Sequence, residues 1–143
     1  MQKLPSVTEM TSYQRHLTAP PEDIDAVHEF LRDIWAENPQ ISMRDRFSFE
    51  TALIELTSNV ILYSETTSGV DCDILVNTWA DRIDAIVFDN GELVNLELSD
   101  YKMPDENAET GRGIPMIKGL VNHLSYDRDG SLNKWTITRN LTP

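Results

Sequence analysis

The apolar positions of this chain change period several times, and each change marks an element. In residues 12–18, "SYQRHLT", Tyr13 and Leu17 alternate with polar neighbours, the period of a strand with one buried face. The following "APPEDIDAVHEFLRDIWAEN" opens with prolines and acids, then sets Ile24, Val27, Leu31, Ile34 and Trp35 at helical spacing. Asn38-Pro39 ends that helix, because the residue before a proline is pushed out of the helical region. A second helix is predicted over residues 44–64, its stripe built on Phe49, Ala52, Leu53, Leu56 and Val60. Beyond a "TTSG" break, "DILVNTW" and "DAIVFD" read as short strands joined through "ADR" in a hairpin.

Residues 95–110 are polar, acidic and weakly periodic, and read as a long loop. "GRGIPMIKGLVNHL" reads as a glycine-bounded turn entering a helix, with Ile114, Ile117, Leu120, Val121 and Leu124 inward. "DRDGSLNKWTITR" reads as a turn at Asp129-Gly130 and a final strand. The order β-α-α-β-β-loop-α-β predicts an α+β two-layer sandwich, a mixed, mostly antiparallel sheet with helices on one face. Residues 1–11 read as a flexible lead and 12–143 as a single domain, the usual expectation for this length.

Composition narrows the class. A hydrophobic fraction of 40% and a charged fraction of 25% belong to an ordinary globular protein. Apolar runs such as residues 74–76 and 85–88 are too short to span a bilayer, and the first residues lack the apolar region of a signal peptide. Cys72 is the single cysteine, so no internal disulfide forms, and a cytoplasmic location is expected. The net charge of −12 argues against nucleic-acid binding. The charge is uneven: residues 1–110 hold 7 basic and 22 acidic side chains, and residues 111–143 hold 5 basic and 2 acidic. A short segment reaches such a balance by chance, so charge alone does not place an anion there.

Three stretches hold candidate chemistry. Glu55, Asn59 and Tyr63 stand at i, i+4 and i+8, one row at the edge of the buried stripe. A carboxylate there is placed to take a proton from a hydroxyl nucleophile, and an amide oxygen one turn on to complete the shell of a phosphate-bound magnesium ion. The same spacing also describes an amphipathic helix with polar flanks. In "VFDNGEL", Asp89 ends an apolar strand before an Asn-Gly turn. Its carboxylate would accept a hydrogen bond from an exocyclic amine, and Gly91 would let a flat ring approach the backbone. In "TGRGIPMI", two glycines precede a helix start, where free N–H groups wrap a phosphate; Pro115 suits the first turn and Arg112 adds a cation. A turn alone also accounts for those glycines.

Other chemistries are excluded by pattern. There is no GxxxxGK[ST] loop, dinucleotide fingerprint or GxSxG elbow. His16, His28 and His123 are scattered with no cysteine cluster near them, and "DRDG" lacks the rest of a calcium loop.

In order, "ELTSN" (Glu55 to Asn59), "DNG" (Asp89 to Gly91) and "GRGIPMI" resemble the N, G1 and G2 boxes of the histidine-kinase-type ATPase fold. With a strand and helix ahead of the N box, the chain is most similar to the bacterial anti-sigma factor serine/threonine kinases. The resemblance implies ATP and Mg2+ as cofactors. It implies Glu55 as general base, Asn59 as magnesium ligand, Asp89 as reader of adenine and Gly91 as the glycine beneath it. Gly111, Arg112, Gly113 and Ile114 match the segment over the triphosphate, and Thr136 or Thr138 is the candidate last-strand support for adenine. It further implies a homodimer that phosphorylates an anti-sigma factor antagonist and sequesters a sigma factor. A nucleotide-gated binding switch without phosphotransfer is the alternative. Tyr63, Leu93 and Glu109 depart from the family pattern, standing where histidine, a second glycine and a basic or small residue are common.

Overall fold

In the computed structural model, residues 9–63, 69–91 and 113–143 are described. The elements follow in the order β1 (Thr11–Ala19), α1 (Ile24–Glu37), α2 (Met43–Tyr63), β2 (Val70–Thr78), β3 (Arg82–Asp89), α3 (Gly113–Leu120), β4 (His123–Asp129) and β5 (Leu132–Asn140). The strands form one sheet in the order β1-β2-β3-β5-β4, with every neighbouring pair antiparallel. Among the described residues the sheet is therefore wholly antiparallel, where a mixed, mostly antiparallel one was expected.

Local chemistry sets the helix ends. Asp23 caps α1 by accepting from the Asp25 N–H at 2.9 Å. Asn38 closes it, its side-chain amide donating to the Ile34 carbonyl at 2.8 Å before Pro39. Ser42 caps α2, its hydroxyl accepting from the Asp45 N–H at 3.1 Å and donating to the Asp45 carboxylate at 3.0 Å. Between β2 and β3, the Trp79 N–H donates to the Arg82 carbonyl at 2.9 Å, the tight turn predicted there.

The helices cover one face of the sheet, and the core lies between the layers. Leu17, Ile74, Ile83, Val87 and Ile137 from the sheet meet Val27, Leu31, Phe49, Leu53, Leu56 and Ile117 from the helices, all with no exposed surface. Each such side chain contributes about 2 kcal/mol through the area removed from water. The predicted stripe of α2 is buried in full: Phe49, Ala52, Leu53, Leu56 and Val60 are all at 5% exposure or less. Alternation along β3 turns Ile83, Ala85, Val87 and Asp89 inward.

One element differs from the expectation. The helix after "GRGIP" ends at Leu120, and His123–Asp129 is a strand, β4, paired with β5. Leu124 and Tyr126 face inward there, while His123, Ser125, Asp127 and Asp129 are exposed. Leu124 falls on the helical spacing of Ile117, Leu120 and Val121, so the 3.6-residue pattern runs on past the point where the backbone turns. The charged outer residues suit an edge strand, which discourages pairing with other chains.

Candidate functional site

A polar knot fixes one end of the molecule and shows how the candidate residues are placed at the other. Asp45, 1% exposed at the start of α2, accepts from Arg139 Nε at 2.9 Å and from the Thr142 backbone N–H at 2.8 Å. Arg139 Nη1 also donates to the carbonyl of Leu120, the last residue of α3, at 2.7 Å. Arg139 pairs with Ile83 at the beginning of β3. The start of α2, the end of α3 and the start of β3 thus meet at Asp45 and Arg139.

Each described candidate lies on one of these elements or directly after it, at the end away from the knot. Asp45, Ala52 and Asn59 recur every seven residues, a line along α2 that drifts by about 20° per repeat. Asn59 therefore faces the same side of α2 as Asp45, about 21 Å further along the axis. That side is opposite α1, because Glu50 points to α1, accepting from Trp35 Nε1 at 2.8 Å and pairing with His28 Nδ1 at 3.0 Å. Glu55 is the next member of the Asn59 row, one turn earlier. Asp89 closes β3, six residues and about 20 Å from Ile83. Gly113 and Ile114 open α3, which packs along α2, with Pro115 in the first turn. Gly111, Arg112 and residues 95–110 lie outside the described residues, as do Leu93, Glu109 and the side chain of Tyr63.

Glu55 and Asn59 are half-buried, and among the described residues neither side chain has a hydrogen-bond or ion-pair partner. Glu55, turned about 40° round the helix from Asn59, also borders a groove of ≈ 390 Å³ on the α1 side of α2, with His28, Trp35, Phe47 and Ile54. Met43 and Phe47 on its rim are 75% and 71% exposed.

Asp89, 2% exposed, is held by three donors. Its Oδ1 accepts from the Gly91 N–H at 2.8 Å and from Asn133 Nδ2 at 2.9 Å, and its Oδ2 from Trp135 Nε1 at 3.1 Å. An ionised carboxylate offers about four lone-pair sites, so one on Oδ2 stays open. Across the neighbouring strand sits Cys72, whose thiol is pushed up to about 12 by burial first and by the Asp89 and Asp73 charges second. The deep placement leaves that thiol inert.

Asn133 and Trp135 are the residues that sequence reasoning missed. Register decides the matter: Asn133 pairs with Asp89 and Trp135 with Val87, on the inward face of β5. Thr136 and Thr138 alternate with these and lie on the open face of the sheet, opposite Asp89. The basic tail resolves as well. Arg139 is committed to the Asp45 knot, and Arg128 donates to the Gly91 carbonyl and Asn133 Oδ1, each at 2.9 Å.

The donor sets fit the expected cofactors. A buried carboxylate with one open acceptor suits an exocyclic amine such as that of adenine. Among the described residues no group of three or more His, Cys, Asp or Glu could hold a metal. Magnesium commonly binds through one or two protein oxygens together with substrate phosphates, a mode that a single Asn59 amide oxygen suits.

Among the described residues an open antiparallel sheet lies under three helices, the fold of the histidine kinase-like ATPase domains. The chain belongs to the family of the histidine kinase-like ATPase domain, whose model matches residues 17–139. Among solved structures it is similar to the catalytic domain of the histidine kinase ThkA, with a TM-score of 0.56, 11% identity and coverage of 95% of this chain and 99% of that one. It is also similar to the Acinetobacter baumannii histidine kinase AdeS, with a TM-score of 0.52, 17% identity and coverage of 90% of this chain and 68% of that one. At such identities the likeness is one of fold. No curated protein matches the chain. The family implies nucleotide binding. Among the described residues no helix is long and apolar enough to cross a membrane.

Proposed function

We propose that the protein is an ATP- and magnesium-dependent serine/threonine protein kinase that doubles as an anti-sigma factor. The observation that carries this reading is that Glu55, Asn59, Asp89 and the start of α3 all lie away from the Asp45–Arg139 knot, on elements that leave it together. In this reading Asp89 accepts from the adenine amine and Gly91 backs the ring. Asn59 ligates magnesium, and Gly111, Arg112, Gly113 and Ile114 cover the phosphates. Glu55 takes the proton of a serine or threonine hydroxyl as that oxygen bonds to the γ-phosphorus of ATP and ADP leaves.

A protein substrate is favoured over a small alcohol because the groove that Glu55 borders runs from it along the α1 side of α2 toward the knot, where exposed Phe47 and Met43 would give a polypeptide an apolar hold. The substrate is an anti-sigma factor antagonist. When the unphosphorylated antagonist is scarce, the kinase sequesters a sigma factor, working as a cytoplasmic homodimer.

The test is calorimetric titration with ATP, with and without magnesium, on the wild-type chain, Asn59→Ala and Glu55→Gln, followed by transfer assays with candidate antagonists. Magnesium-dependent binding weakened by Asn59→Ala, with transfer abolished but ATP affinity kept in Glu55→Gln, is the expected outcome. Tight ATP binding with partner choice gated by nucleotide, and no transfer to any antagonist, would instead identify a binding switch. No saturation at millimolar ATP would remove both.

A further inference from the structure

Asp89 is surrounded by groups whose donor roles are fixed by their chemistry. An indole N–H and a backbone N–H only donate, so Trp135 Nε1 and Gly91 N leave Asp89 no choice but to accept. The amide of Asn133 is equally constrained. Arg128 has no acceptor, and its Nη1 lies 2.9 Å from Asn133 Oδ1, where the Tyr126 hydroxyl also donates. The amide oxygen must therefore face Arg128, and the NH2 group must face Asp89. Asn133 is 1% exposed and Trp135 5%, with Tyr126 packed on the indole at 4.5 Å between ring centroids. The same Arg128 guanidinium grips the Gly91 carbonyl, so the β4–β5 hairpin and the turn after β3 are one unit.

We propose that Asn133 and Trp135 are positioning residues for base selection. By occupying three of the four acceptor directions of Asp89 together with Gly91, they leave one direction on Oδ2, open only to a donor. The inference rests on the reading of Asp89 as the base-contacting residue and adds what makes that contact selective. A 6-amino purine supplies the missing donor. A 6-oxo purine presents an acceptor in its place, so two acceptors oppose each other and a buried carboxylate site stays unpaired, a loss that polar pockets penalise strongly. Without the clamp the carboxylate would rotate, and either oxygen would find other donors or water. Selectivity would fall even though Asp89 itself was intact.

The experiment compares ATP with inosine triphosphate, which carries oxygen where ATP carries the amine, by calorimetry with magnesium on the full chain. The variants are Trp135→Phe, which keeps an aromatic ring beside Tyr126 and removes the N–H, and Asn133→Ala, with urea midpoints recorded for each. The wild-type chain is expected to favour ATP by at least about tenfold, the scale of one unpaired buried polar group. In each folded variant that ratio should drop several-fold, through weaker ATP binding and little change for inosine triphosphate. Equal losses for both nucleotides, or an unchanged ratio in Trp135→Phe, would overturn the positioning role while leaving the nucleotide site standing. A wild-type chain that binds neither nucleotide would overturn the site reading itself, and this inference with it.

Discussion

Asp45 and Asp89 are both buried aspartates, 1% and 2% exposed, and they stand at opposite ends of the elements that join them. Their surroundings differ in two ways. Asp45 faces a guanidinium and accepts four hydrogen bonds, from Arg139, Ser42 and both the N–H and the hydroxyl of Thr142. Asp89 faces only neutral donors and accepts three. A carboxylate whose charge is matched and whose lone pairs are filled has nothing left to offer a ligand. It welds α2, α3 and β5 together. A buried carboxylate with an open lone pair is costly until a donor fills it. The comparison separates a structural carboxylate from the one proposed to bind, without reference to exposure, which is nearly the same for both.

The sharpest way to break the comparison is Arg139→Ala. It strands the Asp45 charge in the interior and frees the Leu120 carbonyl, so a loss of about 3–5 kcal/mol is expected, read as a lower urea midpoint. At the other end, Asp89→Asn puts an NH2 group against the donors of Asn133, Trp135 or Gly91. The expected stability loss is smaller, about 1–3 kcal/mol, while ATP affinity falls by about tenfold or more in calorimetry. If Asp89→Asn cost as much stability as Arg139→Ala and left ATP binding alone, the distinction would collapse.

Ser42→Ala probes the knot more gently. It removes the α2 cap and one donor to Asp45, for about 1 kcal/mol. ATP affinity should not move, since the cap lies nearly five helical turns (about 4.7) before Asn59.

The smallest expected effect is on acid stability. Burial pushes the Asp45 carboxyl up, but the Thr142 N–H, Arg139, Ser42 and the Thr142 hydroxyl together outweigh it and hold the group below its usual 3.8. A lowered folded value means that this stabilisation is fully present above the unfolded value and is lost as pH falls through the folded one. Urea midpoints should therefore fall as the pH drops below about 4, and fall less steeply in Asp45→Asn. An unchanged slope in that variant would show that other carboxylates govern the acid limb.

Much of this could be read along the chain. Periods of 3.6 and 2 located α1, α2, β2, β3 and β5, because each buries a single face and the pattern of that face is written locally. The row of Glu55 and Asn59, the Asp-Asn-Gly turn and the glycines before Ile114 are local too, and their order along the chain points to the histidine kinase-like ATPase family. The end of α3 was not legible. Leu124 satisfies the spacing of a helix and the alternation of a strand, and pairing with β5 selects the strand.

The sequence by itself determined the α+β fold class, the histidine kinase-like ATPase family and the choice of candidate residues, since these depend on periodicity and on short motifs. Tertiary structure alone decided which side chains stand beside Asp89. Strand register puts Asn133 and Trp135 on its face of the sheet and turns Thr136 and Thr138 to the other. Register is a relation between strands distant in sequence. A slip of one residue would exchange the two faces with no change in the local pattern of β5. The same holds for the knot: Arg139 and Asp45 are ordinary charged residues in the chain, and only the closure of β5 against α2 makes them partners.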